Sequence, residues 1–188
     1  MSVSFSPGKR LPRFAAALSV LLLSGSPVAR GADDTSDRFE RMLELDGIQR
    51  IRVQNVNGAV HIESWDRPTL SLVALRTAKG TRADEAIRET EIRIRKSGDT
   101  LEIETILPKN AGWSFLFWWS RPSVDVSYEL KLPPAVPVQA ETVNGRILAE
   151  RRAGPLVLNT VNGSIRVSGQ EGPVRANTVN GSVEVSFN

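Results

Sequence analysis

The chain has 188 residues, 40% of them hydrophobic, with 24 Lys and Arg against 21 Asp and Glu, one His and no Cys. The missing cysteines exclude a disulfide framework, a thiol nucleophile and the lipid-modified cysteine that anchors bacterial lipoproteins. Lys9, Arg10, Arg13 and Arg30 all lie between positions 1 and 31, which leaves 20 basic groups against 21 acidic ones beyond them, a net charge of −1. The isoelectric point near 9.7 therefore belongs to the leading segment, and a nucleic-acid partner loses its electrostatic support.

In chain order, residues 1–31 have the form of a signal peptide: Lys9, Arg10 and Arg13, then the apolar run "FAAALSVLLL", then Ala29-Arg30-Gly31 with small residues where a signal peptidase inspects the chain. That run is ten residues long, short of the roughly 20 a membrane span needs. No later segment is long and apolar enough either, so the chain is expected to be exported, to the periplasm or cell surface of a bacterium, without a transmembrane segment. Residues 32–38, "ADDTSDR", read as a flexible lead-in, and 39–188 as one domain.

From Phe39 onward alternation with a period of two dominates. Val60 and Ile62 alternate with His61 and Glu63, and Ile92 and Ile94 with Arg93 and Arg95. "TLEIET", "VDVSYELKL", "SIRVS" and "SVEVS" continue the pattern, which marks strands with one buried face. "KSGDT" at 96–100 reads as a hairpin turn. "TRADEAIRET" at 81–90 predicts a short helix, with Thr81 and Asp84 resembling a capping box. The segment 109–123, "KNAGWSFLFWWSRPS", has no clear period and carries Trp113, Phe115, Phe117, Trp118 and Trp119. Clustered aromatic rings suit a contact with a partner, a glycan or a membrane interface, or a plug over an open end of the fold.

The tetrapeptide Thr-Val-Asn-Gly recurs at 142–145, 160–163 and 178–181, two equal intervals, and a looser copy, Asn-Val-Asn-Gly, stands at 55–58. Gly154-Pro155 and Gly172-Pro173 mark a second corner in each unit. Each unit thus reads as two short strands and two corners, and the domain as an all-β solenoid whose coils stack with Asn144, Asn162 and Asn180 in register. Asn-Gly tolerates positive φ, so Gly163 is expected there. Val161 shares parity with Ile165 and Val167 and is expected to point inward, whereas Arg166 points outward. The last coil ends at Asn188 with its strand edge open, to be covered by a second copy as a homodimer or by the aromatic segment.

These features together, "VNGAVHIESWD", "GDTLEIET", "YELKLPPAVPV" and the run of "TVNG" coils, resemble the family known as "putative adhesin", a bacterial envelope domain built of β-strand repeats. The resemblance covers residues 39–188. It implies an exported, non-enzymatic β-solenoid that serves adhesion or protein interaction, with an envelope protein or a glycan as partner and with no cofactor, metal or catalytic residue to carry over. Similar proteins carry more coils than this chain.

The residues themselves offer weak chemistry. His61 and Glu63 share an outer strand face, but a metal site lacks its third ligand, and one His without a nucleophile motif makes no triad. Glu63 and Asp66 flank Trp65, so the alternative reading is a carbohydrate-active enzyme on a β-helix, which needs two converging carboxylates. Asn-Gly-Ser at 162–164 and 180–182 matches a glycosylation acceptor only because the repeat spells it.

Overall fold

The computed structural model describes residues 34–80, 82–107 and 123–188. The described residues form thirteen strands and one helix: β1 (Asp34–Glu44), β2 (Arg50–Gln54), β3 (Val60–Ser64), β4 (Thr69–Lys79), α1 (Ala83–Glu89), β5 (Glu91–Ser97), β6 (Thr100–Ile106), β7 (Val124–Leu132), β8 (Val138–Asn144), β9 (Ile147–Glu150), β10 (Leu156–Asn162), β11 (Ile165–Gln170), β12 (Val174–Asn180) and β13 (Val183–Phe187). The described residues are all-β with one short helix, as the alternation predicts.

The strands assemble into two sheets. Sheet I runs β12-β10-β8-β2-β6-β5 and sheet II runs β1-β4-β7-β3-β9-β11-β13. From Val138 onward the chain visits the sheets alternately, and each visit lands one strand further on. Leu156 pairs with Val138 and Val174 in sheet I, and Ile165 with Ile147 and Val183 in sheet II, all in parallel and each displaced by one sequence repeat. The other end is built differently: β1, β4 and β7 pair antiparallel, as do β5 and β6, so both sheets are mixed.

The core lies between the sheets. Ile51, Val53, Ile103, Leu156 and Leu158 on sheet I face Val60, Ile62, Leu130, Ile147 and Ile165 on sheet II, each essentially inaccessible to solvent. At roughly 1.5–3 kcal/mol per fully buried aliphatic side chain, this inner layer is the main source of stability. In the last turn the equivalents are less covered: Ala176 and Val185 are half-buried, and Val183 is 45% exposed. The edge strands β12 and β13 account for that, since among the described residues no further strand lies beyond them. Helix α1 packs Ala86 and Ile87 against β4 and β1, and the hairpin between β5 and β6 turns through Gly98, at φ +62°, and Asp99.

Four expectations are corrected. Residues 34–38 are not a flexible lead-in but the first part of β1, paired antiparallel with Leu75–Lys79 of β4. Val161 does not point inward: it is 40% exposed, while Thr160 is buried. Thr160 donates its hydroxyl to the Gly145 carbonyl at 2.9 Å, and Thr178 repeats this on Gly163 at 2.9 Å, so the corner buries a donor for a carbonyl that valine would leave unpaired. Gly163 is not at positive φ either. A Cβ built on it would stand 2.1 Å from the Gly145 oxygen, and on Gly181 2.0 Å from the Gly163 oxygen, so these glycines let successive corners approach backbone to backbone. The left-handed residues of the repeats are Arg151 (φ 53°) and Gly169 (φ 62°), one repeat apart, before the Gly-Pro corners. Finally, α1 has Arg82 as its N-cap with no side-chain bond, so the box read at Thr81 and Asp84 is not the cap; Thr81 itself lies outside the described residues.

Candidate contact surfaces

At the Asn-Gly corners, thread and surface separate residue by residue. Asn144 Nδ2 donates to Asn57 Oδ1 at 2.9 Å, Asn162 to Asn144 at 2.8 Å and Asn180 to Asn162 at 2.8 Å, a four-membered amide ladder in the expected register. Beside it Val143, Val161 and Val179 face solvent, at 41%, 40% and 74% exposure. Beneath the first corner Asn55 takes the place of the buried threonines. Its amide donates to the Val126 carbonyl at 2.8 Å, its oxygen accepts from Thr105 Oγ1 at 2.9 Å, and Thr105 meets Tyr128 Oη at 2.6 Å. Burial pushes the Tyr128 phenol up to about 12.

The β6–β7 link leaves from this same side. Because β6 pairs in parallel with β2 and β7 with β3, β6 ends and β7 begins on the side where Asn55–Gly58 joins the two sheets one strand over. Trp113, Phe115, Phe117, Trp118 and Trp119 fall within that link and lie outside the described residues.

The outer face of sheet II carries paired charge. Glu63 meets Arg151 and, at 3.3 Å, Lys131, which is also 3.3 Å from Glu129. These two carboxylates, Glu129 foremost, hold the Lys131 ammonium above its usual range. Arg166 meets Glu184 at 2.9 Å, and on sheet I Arg95 meets Glu102 at 2.7 Å. His61 stands 3.7 Å from Glu150. Among the described residues no group of three or more His, Cys, Asp or Glu could hold a metal ion.

Trp65 and Asp66 sit elsewhere, on the opposite side of the sheets. The β1–β2, β3–β4 and β7–β8 connections meet there in a groove of about 590 Å³, lined by Leu45, Asp46, Ile48, Trp65, Asp66, Arg67, Pro68, Pro133, Pro134 and Val136. Trp65 is anchored twice, donating its indole N–H to the Thr69 carbonyl at 2.8 Å and its backbone N–H to the Leu132 carbonyl at 3.2 Å. The Arg67 guanidinium lies 5.2 Å from the ring centroid. Glu63, on the other flank of Trp65 in the sequence, is held on the sheet II face and is not part of the groove.

Arg152 fixes the groove from below. It is 1% exposed and donates to Ser64 Oγ at 3.0 Å and to the carbonyls of Leu132, Pro133 and Val136 at 3.2, 2.8 and 2.5 Å. Desolvation lowers its guanidinium to about 10, still charged at neutral pH. Nothing local in the sequence marks Arg152, or the place of Pro133 and Pro134 in this groove. The available signal is the repeat: Gln170, one repeat after Arg152, is also fully buried and donates to the Gly154 carbonyl at 3.0 Å, so this corner regularly buries a polar side chain.

No family model matches this chain, and no curated protein matches it in sequence. Among solved structures it is similar to a putative cell adhesion protein from Clostridium sporogenes (8% identity, TM-score 0.46, covering 82% of this chain and 100% of that one). It is also similar to a putative lipid binding protein from Parabacteroides distasonis (12% identity, TM-score 0.35, 81% and 60%) and a putative adhesin from Parabacteroides merdae (8% identity, TM-score 0.31, 82% and 97%). Likeness at this level assigns no activity to the chain. Among the described residues no helix is long and apolar enough to cross a membrane.

Proposed function

We propose that this is an exported bacterial envelope protein that works by contact rather than turnover, a β-solenoid scaffold for adhesion or protein interaction with an envelope protein or glycan as partner. One observation carries the reading. The chain turns from sheet I to sheet II at Asn57-Gly58, Asn144-Gly145, Asn162-Gly163 and Asn180-Gly181, yet between β6 and β7 the same crossing takes residues 107–123. The fold does not need that length, and it carries three of the four Trp. Surplus aromatic chain at one corner of a rigid stack suits a contact segment, with Trp113, Phe115, Phe117, Trp118 and Trp119 as its anchors. The solenoid reading rests on the parallel pairings between successive repeats, and the open β12–β13 edge suits pairing with a second copy.

Fractionation of bacteria expressing the full chain with a C-terminal tag tests the reading. It predicts a product shortened at about residue 31 and recovered from the periplasm or surface, and an unprocessed cytoplasmic product contradicts it. The second reading, a carbohydrate-active enzyme, is favoured by one feature: Asp46 and Asp66 line the same groove as Trp65. New reducing ends from oligosaccharides incubated with the protein, lost in Asp66→Asn, would replace the first reading by the second.

A further inference from the structure

We propose that the Trp65 groove is a saccharide-binding site, on the side of the sheets opposite the end of β6 and the start of β7 and independent of what residues 107–123 do. Three features of the groove point to this ligand class. The first is the platform: two hydrogen bonds, from the indole and the backbone N–H, fix the Trp65 ring, which with the Arg67 guanidinium over it makes a preset aromatic surface for a sugar. The second is the polar rim. Among the described residues the side chains of Asp46 and Asp66 have no hydrogen-bond or ion-pair partner, whereas Glu63, Glu102, Glu129 and Glu184 are each held by a cation. Unpaired carboxylates beside an aromatic plate accept hydrogen bonds from sugar hydroxyls, and Arg67 supplies donors from the ring side.

The third feature is rigidity. Pro68, Pro133 and Pro134 have fixed φ, and Arg152 ties the β7–β8 connection from beneath through three carbonyls, so the groove loses little conformational entropy on binding. Its volume of about 590 Å³ suits a short oligosaccharide. The competing occupants fit less well. A proline-rich peptide presents only carbonyl acceptors and would leave the Asp46 and Asp66 carboxylates without donors, and a lipid tail would strip water from both with nothing in return.

The test is a titration of the full ¹⁵N-labelled chain, followed by NMR at the Trp65 indole N–H, which Trp65→Phe identifies. The probes are trisaccharides of glucose, galactose, mannose and N-acetylglucosamine, with hexaproline as the peptide probe. At least one trisaccharide is expected to shift the Trp65 indole and the Asp46 and Asp66 amides saturably, with a Kd on the order of 0.1–1 mM. Asp46→Asn and Asp66→Asn, both on exposed side chains, are each expected to weaken it about tenfold or more without moving the thermal midpoint. No shift with any trisaccharide at about ten times that Kd, a shift unchanged in the two Asn variants, or binding of hexaproline alone would each overturn the proposal.

Discussion

The corner residues show how one tetrapeptide divides its work. Thr160 is the inward residue, Val161 faces solvent, Asn162 bonds its neighbours along the stack, and Gly163 leaves room for the Gly145 carbonyl. Thr160→Val keeps the shape and removes the donor, so it is expected to cost about 1–2 kcal/mol, while Val161→Asp is expected to cost no more than about 0.5 kcal/mol. Paired urea titrations check both. Gly163→Ala, →Asn and →Val are expected to lower the thermal midpoint steeply and alike, because each adds the same Cβ 2.1 Å from a backbone oxygen. Asn tolerated far better than Ala would restore a dihedral explanation.

Tyr128 supplies a pH test at the same scale. Its phenol, at 10.0 when unfolded and about 12 in the fold, keeps its proton in the folded state where the unfolded chain has lost it. The sign follows: the stabilisation is intact below pH 10 and falls as pH rises from 10 toward 12, by about 1.4 kcal/mol per unit in that window. Stability measured from pH 9 to 11.5 should fall more steeply in the native chain than in Tyr128→Phe. Parallel slopes would mean that Tyr128 is not held protonated.

At the scale of elements, what the sequence disclosed and what it hid have physical reasons. Strands with one buried face, such as β7 with Val124, Val126, Tyr128, Leu130 and Leu132 inward, are visible because alternation is a local signal. The even spacing of the tetrapeptides exposed the amide ladder for the same reason. The inward residue at the bend was hidden, because parity can be counted along a strand but not through a corner whose hydrogen bonds run to the preceding turn. The antiparallel pairing of β1 and β4 was hidden as well, since it joins Asp34 to Lys79 across two intervening strands. The groove was half visible: Trp65 and Asp66 stand out in the sequence, whereas Leu45, Ile48, Pro133 and Pro134 join them only through the packing of three separate connections. If the C-terminal turns are equivalent, a copy of residues 164–181 inserted after Gly181 should fold as one more turn. It would cover the present β12–β13 edge and raise the thermal midpoint by roughly 2–5 °C. The same insert with its glycine equivalent to Gly181 changed to Val should give no gain, and equal midpoints for the two inserts would count against stacking.

At the scale of the whole molecule, a two-sheet stack with paired charges on its outer faces has two distinctive sides: the Asn-Gly corners, where β6 ends and β7 begins, and the Trp65 groove opposite them. The central claim is that the protein acts by contact through the link. Its most direct test is co-sedimentation of residues 32–188 with purified bacterial envelope vesicles, comparing the native sequence with a variant in which Trp113, Phe115, Phe117, Trp118 and Trp119 are all serine. The account predicts that the native chain pellets with the vesicles and that the variant, with an unchanged thermal midpoint, stays in the supernatant. Equal pelleting of the two, or a native chain left wholly in the supernatant, would contradict it.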